Sequence, residues 1–139
     1  MLSKAFRTAL VALVGTAFLA AGGCGQSADS NTRKVGPAGP TTPGNYYFTL
    51  EVHPAAVQKS GTVVLSVRVA NAADTAINGT VTPVTVNYSG SSTTAASVVI
   101  NSTGRANTSY TITGAGGTVT YINANVEDKS LTIPIQILP

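Results

Sequence analysis

The chain has 139 residues, room for one domain plus appendages. Only 9% of it is charged, and it holds one cysteine, one histidine and no tryptophan, which excludes an intramolecular disulfide and any site built from several His or Cys ligands. The net charge of +3 falls to +1 from residue 24 onward, where six basic side chains face five acidic ones, so no basic stripe for nucleic acid exists.

Lys4 and Arg7 open the chain, and residues 8–21 are uncharged and mostly apolar. Small residues from Ala20 to Gly23 follow, then Cys24. This is the layout of a secretory signal peptide over residues 1–23. A spanning helix needs about 20 apolar residues; this run is shorter and ends in glycine and polar residues. Ala21-Gly22-Gly23-Cys24 resembles the lipobox of bacterial lipoproteins. The resemblance implies a diacylglycerol on the Cys24 sulfur, cleavage before it and acylation of the new α-amine. It also implies, with Gly25 in place of Asp, the outer membrane of a bacterial envelope, on its periplasmic or surface face. Two or more acyl chains give stable anchoring.

Residues 25–45 are rich in Gly, Pro, Ser, Thr and Asn, with Val35 the only large apolar side chain. Such a stretch buries too little surface to offset its ordering entropy. Residues 24–45 are therefore expected to be a lipidated cysteine followed by a disordered, flexible tether. Gly36-Pro37-Ala38-Gly39-Pro40 is a single pair of collagen-like triplets that stops at once, too short for a triple helix.

Residues 46–139 alternate with a period of two and sustain no helical periodicity. Seven strands are expected. Phe48, Leu50 and Val52 share a face of the first, and Val63, Leu65, Val67 and Val69 a face of the second. Val84, Val86 and Tyr88 line the third, and the fourth runs through Ala96–Ile100. Ala106, Tyr110 and Ile112 mark the fifth. In the sixth, Ile122, Ala124 and Val126 point in while Tyr121, Asn123 and Asn125 point out. Leu131, Ile133, Ile135 and Ile137 form the seventh, where Pro134 predicts an edge or a bulge. Asn101–Gly104 and Glu127–Ser130 read as tight turns. The class is all-β: an immunoglobulin-like Greek-key sandwich of about seven antiparallel strands, with a closed barrel as the competing closure.

Leu50-Glu-Val-His-Pro54, Gly61-Thr-Val-Val-Leu-Ser-Val-Arg-Val69, Asn101-Ser-Thr-Gly-Arg-Ala106 and Gly117-Thr-Val-Thr-Tyr-Ile-Asn-Ala-Asn-Val126 carry a resemblance. Their order resembles bacterial Ig-like domains of the invasin/intimin group. That resemblance implies a non-enzymatic adhesion or structural module without catalytic residues.

Other candidate chemistry is sparse. His53, the sole imidazole, can serve a Ser-His-Asp arrangement only with Asp74 or Asp128, and no G-x-S-x-G elbow is present. Asp74, Glu127 and Asp128 are the candidates for a calcium site, although turn carboxylates are commonly just solvated. Gly114–Gly117 lacks the Lys and helix of a phosphate loop. Tyr46, Tyr47, Tyr88, Tyr110 and Tyr121 can form either an aromatic sugar platform or ordinary sandwich packing. The expectation is a lipid-anchored envelope protein with no catalytic, metal or cofactor site. Its partner is a protein or surface polymer; a carbohydrate-binding module is the alternative.

Overall fold

The structure, a computed structural model, describes residues 31–90 and 93–139. The expected signal peptide, Cys24 and residues 25–30 of the expected tether lie outside the described residues. Nine strands form among the described residues: β1 (Arg33–Ala38), β2 (Tyr47–His53), β3 (Ala56–Val57), β4 (Thr62–Ala70), β5 (Thr85–Gly90), β6 (Thr93–Val99), β7 (Arg105–Thr111), β8 (Val119–Val126) and β9 (Lys129–Ile137). They make two sheets, ordered β1-β2-β4-β7 and β3-β9-β8-β5-β6.

The pleat sends alternate side chains to opposite faces, and one face of each sheet is aliphatic. Phe48, Leu50 and Val52 of β2 lie beside Val63, Leu65, Val67 and Val69 of β4 and are buried. Val86 and Tyr88 of β5, Ile122, Ala124 and Val126 of β8, and Ile133, Ile135 and Ile137 of β9 face them from the second sheet in one continuous cluster. The protein is thus an all-β sandwich, and the seven expected strands are β2 and β4 to β9. Burying one Val, Leu or Ile side chain is worth roughly 1.5–3 kcal/mol, so these inner faces carry the fold without a staple.

Two strands were not expected. The segment read as a tether is ordered from Asn31: Arg33, Lys34 and Val35 pair antiparallel with Val52, Glu51 and Leu50. The error has a physical source. The backbone of β1 gains a ladder of hydrogen bonds on an open edge of β2, which composition does not register. The register shifts between Val35 and Ala38. At Gly36 (φ +104°) a Cβ would approach Leu131 Cδ1 and the Phe48 carbonyl to 2.9 Å, so only glycine lets the strand lie this close. Thr41 is fully buried, and its Oγ1 accepts from the Tyr46 amide at 3.0 Å. The domain boundary therefore lies before Asn31, not at Tyr46.

The second addition is β3. After His53 the chain leaves the first sheet and pairs with β9 in parallel, Ala56 opposite Gln136 and Val57 opposite Ile137. The all-antiparallel expectation is corrected at this pair. Because β3 is so short, β9 is uncovered on that side at Pro134, whose missing N–H thus costs no ladder bond there. Arg33 Nη1 donates to the Pro134 carbonyl at 3.1 Å.

One polar group crosses the core. Tyr88 Oη, on the second sheet, donates to the Ala106 carbonyl on the first at 2.6 Å. Burial pushes this phenol well above its ordinary range; a hydrogen bond from the Val67 backbone opposes the rise, and nearby Tyr110 adds to it. Tyr110, also buried, is raised by desolvation, and its hydroxyl has no protein partner among the described residues.

A raised phenol stabilises the fold below the ordinary tyrosine pKa of about 10 and loses that contribution as pH climbs above it. Thermal melts from pH 8 to 11 should therefore show alkaline destabilisation that Tyr88→Phe reduces, at a neutral-pH cost of about 0.5–1.5 kcal/mol for the lost hydrogen bond. Gly104 has φ +76°, and a Cβ there would meet the Val69 carbonyl at 2.8 Å and the Ile77 carbonyl at 3.0 Å. Gly104→Val should cost about 1–3 kcal/mol by denaturant titration.

Candidate functional site

The outer face of the first sheet collects charge. Register sets Lys34 beside Glu51, and Arg68 between Thr49 and Arg105. Asn71 folds the following loop by accepting from the Ala73 and Thr75 amides through Oδ1, which brings Asp74 back over the sheet. There Arg68 grips it twice, Nη1 to Oδ1 at 2.6 Å and Nη2 to the Asp74 carbonyl at 2.8 Å. An open groove of about 350 Å3 results, lined by Lys34, Tyr47, Thr49, Arg68, Asn71 and Asp74 among others. The Asp74 side chain is 86% exposed, so this pair orders the loop more than it stabilises the domain.

The candidates for chemistry are dispersed. His53 Nδ1 lies 2.7 Å from Thr32 Oγ1 at the far end of β2. Asp74 sits over the row of Arg68 and Thr49, four residues along that strand from His53, or about 13 Å. The two do not meet as a catalytic pair. Asp128 and Glu127 face a different segment. Asp128 Oδ1 accepts from the Thr42 amide at 2.6 Å, and Glu127 Oε2 from the Gly44 amide at 2.9 Å. Lys129 Nζ donates to Asp128 Oδ2 at 2.9 Å. The two turn carboxylates thus clasp the loop between β1 and β2, and Asp74 does not join them. No group of three or more His, Cys, Asp or Glu residues able to hold a metal occurs among the described residues.

The tyrosines do not form one platform. Tyr88 and Tyr110 are buried, Tyr46 packs against the core, and Tyr47 lines the groove. Tyr121 lies on the opposite sheet, 53% exposed. Around Gly117 the loop is tied to the last strand, the Gly117 amide donating to the Ile137 carbonyl at 2.7 Å.

The outer face of the second sheet has a different chemistry. Tyr121 stands opposite Pro134, Asn123 opposite Thr132 and Ser89, and Asn125 opposite Ser130 and Asn87. Ser97 stands on the far side of Asn87. Ser97 Oγ donates to Asn87 Oδ1, and Thr132 Oγ1 to Asn123 Oδ1, each at 2.6 Å. The outward positions of β8 were legible from alternation; their neighbours on β5, β6 and β9 required the strand order. Lys34 was hidden in the supposed tether, and the Arg68–Asp74 pair has no signature beyond two opposite charges six residues apart.

The chain matches no family model, no curated protein and no solved structure.

The clasp predicts an acid response. The Thr42 amide is the main cause that holds the Asp128 carboxyl below its usual range, with Lys129 assisting. A lowered carboxyl contributes stability above the ordinary Asp value, about 3.9, and loses it as pH falls through the lower folded value. Thermal melts from pH 6 to 2 should show less acid destabilisation in Asp128→Asn than in the unmodified protein.

Proposed function

We propose that this protein is a lipid-anchored envelope module that binds a partner through the outer surfaces of an Ig-like sandwich and performs no catalysis. The observation that carries the reading is the occupation of its reactive groups. His53 is held by Thr32, Asp74 by Arg68, and Glu127 and Asp128 by backbone amides. These are scaffold bonds, and they leave two broad sheet faces as the features available to a partner. The strand order and the chain's passage from β2 to β3 support an Ig-like arrangement. The resemblance to the invasin/intimin group adds the expectation of adhesion.

The anchor is the thioether-linked lipid on Cys24, and the outer membrane is the proposed site. With β1 in the sheet, only residues 25–32 connect Cys24 to the first strand. Their contour is at most about 28 Å, less than half the reach of a tether ending at Asn45. A bound partner is then confined near the bilayer at an effective concentration set by that short link.

Labelling cells with radioactive palmitate and fractionating their membranes tests the anchor. The unmodified protein should carry label and sediment with membranes; Cys24→Ser should carry none and should keep the melting midpoint of the domain. An unlabelled wild-type protein overturns the reading.

A further inference from the structure

We propose that the outer face of β8, β9, β5 and β6 binds a neutral, hydroxyl-rich polysaccharide strand, with Tyr121 as its aromatic contact. The proposal rests on the reading of the protein as a binding module and names the class of ligand.

Charge is the first argument. The side chains charged at neutral pH from Asn31 to Pro139 lie on the first sheet, in loops or at the β8–β9 hairpin, and the outward positions of the second sheet hold none. Those positions are mainly amides and hydroxyls, centred on Asn87, Asn123 and Asn125, with Tyr121, Val99 and Val119 as the exposed large apolar ones. One cation, Arg33, is at the open edge of β9, where its guanidinium donates to the Pro134 carbonyl, so an anionic polymer or an anionic bilayer finds no cation among the outward positions themselves. An uncharged ligand loses no ionic hydration on approach and strands no charge on the protein.

Hydrogen-bonding polarity is the second argument. The Ser97 hydroxyl occupies the carbonyl oxygen of Asn87, and the Thr132 hydroxyl that of Asn123. Each amide oxygen is thereby engaged, and the NH2 group of each Asn is a donor that these two bonds do not use. Asn125 lies in the Asn87 row, about 5 Å across from Asn87, and about 7 Å along the strand from Asn123. Donors and hydroxyls spaced this closely suit vicinal hydroxyls, each able to donate and to accept.

The third argument is Tyr121. It is half exposed on the outer face of the sheet, opposite Pro134. An aromatic face next to placed polar groups is the composition of a ligand site, and the C–H face of a pyranose fits against it. A second copy of this chain is the poorer occupant: pairing two such faces would bury amides and hydroxyls without assured partners, at about 1–3 kcal/mol for each one left unsatisfied.

Affinity gel electrophoresis of the purified full chain, in gels cast with soluble β-glucan, xylan or galactomannan and with anionic alginate as control, tests this. At least one neutral polymer should retard the protein. Tyr121→Ala should weaken that retardation about tenfold, Asn123→Ala should weaken it too, and Arg68→Ala on the opposite sheet should leave it unchanged, with melting midpoints retained by all three variants. Retardation by none of the neutral polymers overturns the proposal. So does retardation by alginate alone that Arg68→Ala removes, which would move the site to the charged groove. Concentration-dependent dimerisation abolished by Tyr121→Ala, without retardation, would assign the face to a second copy. Palmitate labelling of the same preparation keeps the two readings separable, because loss of the lipid leaves the gel result standing.

Discussion

The hydrogen bond from Tyr88 Oη to the Ala106 carbonyl is the constraint around which the sandwich is arranged. Aliphatic faces attract without direction, and two pleated sheets of Val, Leu and Ile can slide past one another at small cost. A buried hydroxyl has no such freedom, because losing its partner inside the core costs the full desolvation of both groups. Tyr88 is the largest fully buried side chain, and it reaches the pair formed by Val67 and Ala106. It therefore fixes β5 over the middle of β4 and β7. From that point the registers of β8 on β5 and of β9 on β8 follow along the second sheet.

The same logic explains the N-terminal segment. Only Val35 among the residues of β1 is a large apolar side chain, so burial alone does not hold it. Its backbone pairing with β2 is reinforced by polar bonds gathered at both ends. At one end Arg33 reaches the Pro134 carbonyl. At the other, the turn carboxylates of β8–β9 take the amides of Thr42 and Gly44, while Thr41 closes its own loop by exchanging backbone bonds with Asn45 and Tyr46. The strand thus bridges the two sheets, and the hairpin that the sequence offers as a calcium candidate is instead a latch for it.

Much of this was legible in the chain. Seven strands follow from period-two alternation because half-buried strands write their burial into every second residue, as Val63 to Val69 and Leu131 to Ile137 show. Turns were legible where one residue dictates geometry, as with Asn101, whose Oδ1 accepts from the Thr103 and Arg105 amides before the positive φ of Gly104. Two kinds of information were not legible. Strands held by backbone pairing on an edge, β1 and β3, leave no apolar pattern. Contacts between strands distant in sequence depend on sheet order, which brings β9 between β3 and β8 and carries the Pro134 carbonyl to Arg33 across 101 positions.

Sheet order also decides what each outer face can recognise. A single sheet with this composition would mix Asn and Thr with Lys, Glu and Arg. The observed partition instead places β1, β2, β4 and β7 together, and with them Lys34, Glu51, Arg68 and Arg105. The strands β5, β8 and β9 contribute amides, hydroxyls and Tyr121 to the other side. Charges on the first face engage one another across short distances, as Arg68 and Asp74 do, and weaken with salt. The outward positions of the second face carry no charge, so the proposed contact there rests on shape, aromatic packing and hydrogen bonds that salt leaves largely intact.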